Sequence, residues 1–205
     1  MKKNVSLNGR PRSIEVNSAI LDATLSLLAE TGYDRLTISA VAERARVGKA
    51  TIYRRWNSKH SLVADAFQQL PPLVSTDMGS LELDLEQLLE SLVQVMEKSP
   101  LALVLAALGK EQICDKSLAT KLDPIFNERR RPLIEVLRRA TLRRELPDDI
   151  DIGFAADIVI GPIINRLFFT GISVSQEDRK KFIRGALYGI HALNKPSAPD
   201  TKIFV

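Results

Sequence analysis

The sequence predicts an all-α fold. Apolar residues recur at helical spacing along most of the chain, and no run of alternating β-branched residues is bounded by hairpin turns. Glycine, proline and capping residues fall where such a chain needs to stop and restart its helices. Apolar residues make up 45% of the 205 positions, enough for a packed core.

Residues 1–13 are polar and carry Lys2, Lys3, Arg10 and Arg12, so they read either as a basic arm or as a tail without a role. A first helix is expected from Ser13, its cap, to Thr31, with Ile20, Thr24, Leu27 and Leu28 on one face and Gly32 as its stop. A second runs from Ile38 to Ala45 behind Thr37, a third from Lys49 to Trp56, and a fourth from Asn57 or Ser58 to the Pro71-Pro72 break. Leu85, Leu88, Leu89, Leu92, Val95 and Met96 mark a helix over 81–98, and Pro100 opens the next, to about Ile113. A short helix over 116–122 and a longer one to Leu146 are expected next, the latter kinked or restarted at Pro132. Two apolar helices, 152–170 and 176–193, close the fold.

Several classes are disfavoured at once. The lone Cys114 permits no intrachain disulfide and fits a reducing compartment. The longest uninterrupted apolar run is Leu101–Leu108, whereas a membrane helix needs about twenty such residues. With no signal-peptide pattern either, a soluble cytoplasmic protein without a membrane partner is expected. Charge is unevenly placed: residues 1–60 hold eleven Lys/Arg against five Asp/Glu, the remainder eighteen against twenty. That asymmetry points to an N-terminal surface meeting a polyanion.

The informative stretch is Thr37–Lys59, TISAVAERARVGKATIYRRWNSK. A short helix, a tight turn and a second short helix form the helix-turn-helix plan. Ile38, Val41, Ala42 and Ala45 face inward from the first helix, and Ala42 is small where the second crosses it. Val47 plugs the corner, and Ile52 and Trp56, four apart, face the core together. Lys49, Ala50, Thr51, Tyr53, Arg54 and Arg55 are left on or near the outer side. They offer the cations, methyl and hydroxyls that read base edges and hold phosphates. The bland alternative for Arg54-Arg55 is a solvated helix face; Trp56 reads as core.

This stretch resembles the TetR family of bacterial repressors at Thr37-Ile38, Val41-Ala42, Ala45, Val47, Thr51-Ile52-Tyr53, Trp56 and Ser58-Lys59. The resemblance implies about nine helices: a three-helix DNA-binding domain over 14–60, and a helical ligand-binding and dimerisation domain over 61–205. It implies a sequence-specific, double-stranded DNA-binding regulator, a repressor released from its operator by a small molecule, with no cofactor. By the same resemblance Thr37 holds a phosphate at a helix N-terminus. Lys49, Ala50, Thr51 and Arg54 enter the major groove, Tyr53 meets the DNA backbone and Lys59 holds a further phosphate. One departure stands out, because the family has glycine where this chain has Arg46. A positive φ there costs a non-glycine residue roughly 1 kcal/mol. Either Arg46 accepts that strain or Gly48 absorbs part of the bend, and an arginine at this turn is within reach of a phosphate.

Two copies reading successive half-sites, about 34–36 Å apart, would make the operator palindromic and the protein a homodimer. The last two helices are apolar over more than one face, and Ile160, Ile164, Leu167, Phe182 and Leu187 are the candidate dimer contacts. Their Gly161-Pro162 and Arg166 region also resembles the family's dimerising pair. Candidates for lining an effector chamber are Met96, Leu103, Leu105, Phe126 and Phe168, which otherwise are plain core. Asn165, within an apolar helix, needs a partner if buried: a structural bond, a dimer contact or a ligand. The arginines from Arg129 to Arg144 read as a solvated basic face, an acidic ligand or a second DNA contact being the alternatives. An enzyme is the rival of a different class, but His60 and His191 lie far apart in sequence, and no phosphate loop, metal spacing or nucleophile motif appears. A DNA binder without an effector is the second rival.

Overall fold

Nine α-helices follow one another in the computed structural model, which describes residues 11–193, with side chains from residue 14. They are α1 (Pro11–Arg35), α2 (Ile38–Arg44), α3 (Lys49–Tyr53), α4 (Lys59–Gln68), α5 (Leu81–Lys98), α6 (Leu101–Cys114), α7 (Lys116–Leu142), α8 (Ile152–Ile164) and α9 (Gln176–Leu193). No strand occurs among the described residues. Residues 1–10 of the expected arm and the tail from Asn194 lie outside them. Residues 11–13, expected in the arm, already belong to α1, so Ser13 sits inside that helix instead of capping it.

The chain forms two compact units: the described residues of Met1–Pro71 with Met96–Asn127, and those of Pro72–Val95 with Glu128–Val205. In the first, Ile20, Thr24, Leu27 and Leu28 of α1 are all buried, as their spacing predicts. The Thr24 hydroxyl disposes of its polarity by donating to the Ile20 carbonyl at 2.8 Å. Gly32 breaks α1 with φ 77°, ψ 172°, leaving a short turn through Arg35. Val41 and Ala42 of α2, Ile52 of α3, and Leu62, Val63 and Phe67 of α4 complete the core beside Val104 and Leu108 of α6. Ser58 caps α4 in a reciprocal bond pair with Ser61.

The α2–α3 turn is a Schellman motif. The Arg46 N–H donates to the Glu43 carbonyl (3.1 Å) and the Val47 N–H to the Ala42 carbonyl (2.9 Å). Arg46 takes the left-handed position, φ 54°, while Gly48 stays extended at φ −72°, ψ 143°. The strain therefore falls on the arginine. The same motif ends α7, where Arg144 has φ 61° and Arg144 and Glu145 donate to Thr141 and Ala140.

Three expectations need correction. α3 is shorter, its regular turns ending at Tyr53, although the Trp56 N–H still reaches the Ile52 carbonyl at 2.9 Å. α7 is one continuous helix, not two, despite Pro124 and Pro132. Each proline forfeits one bond, to the carbonyl of Thr120 or Glu128; both residues are exposed, so water can satisfy what is freed. The buried positions Leu118, Leu122, Leu133, Val136, Leu137 and Ala140 keep the helix in register. The expected helix over 152–170 ends its α geometry at Ile164 and continues as a π-helical segment, Asn165–Thr170, closed by Gly171 at φ 64°. Pro162 lies just upstream, where it deprives the ladder of a donor.

The second unit is organised around Leu85, Leu88 and Leu89 of α5, Val136 and Leu137 of α7, Ala156, Val159 and Ile163 of α8, and Ile183 and Ile190 of α9. Within it Asp84 is 1% exposed. Its carboxylate accepts the Met78 N–H at 2.6 Å, Arg143 at 3.0 Å and Arg139 at 3.4 Å. Arg143 also bonds Asp77 at 2.9 Å, and Glu145 accepts the Leu81 N–H at 2.6 Å. These bonds fasten the loop before α5 to the end of α7. Burial alone would raise the Asp84 pKa, but the Met78 N–H and the two guanidiniums outweigh it and hold the carboxyl below the usual range.

Because the folded pKa is depressed, the charge of Asp84 contributes stability above the unfolded carboxylate pKa, and that contribution is lost as pH falls through the folded value. Asp84→Asn should lower stability by about 1–3 kcal/mol at neutral pH, the cost of removing the buried charged acceptor that Arg139, Arg143 and the Met78 N–H share. In urea titrations followed by circular dichroism the deficit should shrink as pH falls below the ordinary aspartate pKa of about 3.9; a deficit independent of pH would refute the assignment. Arg46→Gly and Arg144→Gly should each raise stability by up to about 1 kcal/mol by relieving positive φ. An unchanged urea midpoint would mean that each arginine's charge at a helix C-terminus already offsets the strain.

Candidate nucleic-acid interface

A helix as short as α3 cannot hold itself in water, so its outer surface is positioned from behind. Ile52 is fully buried and Trp56 is 6% exposed. The Trp56 indole N–H donates to Asp65 of α4 at 2.7 Å, a contact the sequence reading missed. The general need of a buried indole for an acceptor pointed to it, but nothing in the spacing singled out Asp65. In front, Lys49, Ala50, Tyr53 and Arg54 are exposed and Thr51 is half-buried. Ala50 and Arg54, four apart, lie opposite Ile52. Arg55 instead turns back to donate to the Thr51 carbonyl at 3.2 Å.

Thr37 caps α2, its hydroxyl oxygen accepting the Ala40 N–H at 3.1 Å, and the hydroxyl proton remains free to donate outward. Arg46 is exposed in the turn two residues before Gly48-Lys49. Arg44 is neutralised in a two-pronged pair with Glu30, at 2.8 and 2.9 Å. By contrast, Arg46, Lys49 and Arg54 form no ion pair among the described residues. The structure thus gathers Thr37, Arg46, Lys49, Ala50, Thr51, Tyr53 and Arg54 on the helix-turn-helix with uncompensated positive charge. Such a surface suits a polyanion.

Lys59, the expected phosphate ligand, is also engaged within the chain. Its ammonium donates to the Tyr33 carbonyl at 2.8 Å and the Leu36 carbonyl at 3.1 Å, and sits 4.0 Å over the Tyr33 ring. Partial burial lowers its pKa from the usual lysine value, against the pull of Asp34, Glu111 and Asp115. Beside it, His60 Nε2 lies 3.1 Å from Asp115 Oδ2, and the His60 ring stacks on Tyr33 at 6.0 Å.

The effector-chamber candidates do not converge within one unit. Met96 and Phe126 belong to the first, where Phe126 tilts against Phe67 at 5.1 Å; Leu103 is there too, but 60% exposed. Phe168, half-buried, and Asn165 belong to the second. Asn165 is exposed in the π-helical segment, so its amide incurs no burial cost. The dimer candidates Ile160, Ile164, Leu167, Phe182 and Leu187 are each half-buried. On the same elements Phe169 is 82% and Tyr188 80% exposed. An apolar groove of about 170 Å³, bordered by Ile150, Phe154, Ile158, Ile190 and Leu193, runs between α8 and α9.

The family model for bacterial regulatory proteins of the tetR family matches residues 20–66, and that for the tetracyclin repressor-like C-terminal domain matches 75–185. An uncharacterised HTH-type transcriptional regulator of Bacillus subtilis, YdeS, is 31% identical over 189 residues, 91% of this chain and 96% of its own. The DNA-binding transcriptional repressor TetR of Mycobacteroides abscessus is 28% identical over 162 residues, 76% of this chain and 83% of its own. The crystal structure of the TetR family transcription regulator SCO0332 superposes with a TM-score of 0.65 at 28% identity, covering 86% of this chain and 98% of that one. With a charged reading face on a helix-turn-helix and matches running along both parts of the sequence, the chain belongs to the TetR family of DNA-binding transcriptional regulators.

Proposed function

We propose that this regulator is a homodimeric repressor that binds a palindromic duplex operator and is released by a small-molecule effector. The observation that carries the DNA reading is the unpaired cationic face of α3, opposite Ile52 and Trp56. Lys49, Ala50, Thr51 and Arg54 read base edges, while Thr37, Tyr53 and Arg46 hold the DNA backbone. Residues 14–60 form the reading domain, and 61–205 serve the effector and the second subunit. Repression is the activity named for the Mycobacteroides abscessus relative, which supports that sign of regulation here.

Dimerisation is supported by what α8 and α9 leave uncovered. The stretch Ile152–Thr170 is long and apolar enough to cross a membrane, yet only 22% of its apolar window is buried in the single chain. Asp157, Asn165 and Arg166 interrupt it. In a DNA-binding regulator acting in the cytoplasm, a second copy covers such a surface better than lipid does. Two-fold pairing places two α3 helices on successive half-sites. The effector favours a form in which they are wrongly spaced, and operator and effector then weaken each other by the same factor.

On a duplex enriched from a random pool by the wild-type protein, Arg54→Ala should cost about 1–3 kcal/mol of discrimination at one base step. Tyr188→Asp should convert the dimer to monomer in sedimentation and abolish tight binding to the two-half-site duplex. A wild-type protein that sediments as a monomer on that duplex would refute the dimer. Should no compound of a broad library release it, the effector would be refuted.

A further inference from the structure

The corner between α1 and α2 displays a cation that the helix-turn-helix does not account for. Gly32 breaks α1 with φ 77°, and the Leu36 N–H then closes on the Tyr33 carbonyl at 3.2 Å. Tyr33 and Leu36 are buried, which anchors this short turn from inside. Arg35 and Thr37, the neighbours of Leu36 on either side, both face solvent. The nearby acids are already engaged: Asp34 pairs with Lys110 at 2.7 Å and Glu30 with Arg44 at 2.8 Å. Arg35 itself forms no ion pair and no side-chain hydrogen bond among the described residues. Folding therefore leaves a whole positive charge two residues ahead of Thr37, whose hydroxyl caps α2 and keeps its proton free.

We propose that Arg35 is a further DNA-backbone ligand: its guanidinium holds a phosphate beside the one that Thr37 meets, and the α1–α2 corner is a second grip on the duplex outside α3. The inference rests on the reading of the helix-turn-helix as the DNA-contacting segment. It adds to that reading a residue of α1, which neither motif nor spacing distinguishes from the other cations of the first sixty positions. Seven residues of α2 separate this corner from the turn that carries Arg46, about 10 Å at the helical rise. An unpaired arginine thus stands at each end of α2, while the helix's own Arg44 is neutralised by Glu30. The first helix of such a motif crosses the DNA backbone. A guanidinium at each end, presenting paired donors to phosphate oxygens, fixes the angle of that crossing.

The test uses the full-length protein, a duplex it enriches from a random pool, and a scrambled duplex of equal length. In Arg35→Gln the slope of log affinity against log salt should become shallower on both duplexes, by about 0.9 for each subunit bound. Affinity should fall several-fold on both, and their ratio should hold, because a phosphate contact carries no sequence information. Arg35→Lys should keep the wild-type slope. Ethylation of one phosphate in the enriched duplex should weaken binding of the wild-type protein and make no difference to Arg35→Gln. An unchanged salt slope in Arg35→Gln overturns the proposal. A falling ratio would make Arg35 a base reader, and a lowered urea midpoint with the slope intact would make it a structural residue; either result overturns it equally. Absence of any salt-sensitive binding by the wild-type protein would instead remove the DNA reading itself.

Discussion

Burial of Ile52 and Trp56 is the constraint on which the reading surface depends. Isolated helices shorter than about a dozen residues are marginal in water, so α3 borrows its persistence from the core behind it. Each such side chain contributes about 2 kcal/mol when withdrawn from water. That is enough to hold one short turn in place when the indole N–H is also satisfied by Asp65. The exposed outer residues Lys49, Ala50, Tyr53 and Arg54 are therefore not called on to anchor the helix. Packing and the proposed recognition are divided between opposite faces of the α3 segment.

The same division is enforced by charge. Arg44 and Lys110, both exposed, are paired with acids on α1 or the turn that follows its break. Lys59 is committed to carbonyls. Arg46, Lys49 and Arg54, in the α2–α3 turn and α3, form no ion pair among the described residues. Among the described residues up to position 60, the pairing of Arg44 and the internal bonds of Lys59 leave a narrower positive surface than composition alone suggests.

Much of this was legible in the sequence because local rules decided it. Thr37 caps α2, Gly32 breaks α1, Ser58 opens α4, and Ile52 and Trp56 face inward, each from spacing or capping chemistry alone. What was not legible depended on partners distant in sequence or on small differences in backbone energy. Lys59 lies twenty-six residues from Tyr33, so no local pattern could show that its ammonium is already occupied. Pro132 in α7 argued for a kink or a restart, and the buried stripe on either side outweighed it. Arg46 was flagged by its residue type, but only the backbone showed that it, and not Gly48, carries the positive φ. Asn165 needs a partner only if buried, and it lies in line with Asp157 and Gly161 on an exposed face.

That change of helix type has a further consequence. A π-helical turn holds one residue more than an α-turn of the same pitch would accommodate. Asn165–Thr170 is thus a small reserve of chain length between Pro162 and the left-handed Gly171. Loss of a single position within it would let the ladder tighten to ordinary spacing without displacing the apolar stripe of α8 upstream. A one-residue deletion that would scramble a regular helix can be absorbed at this corner.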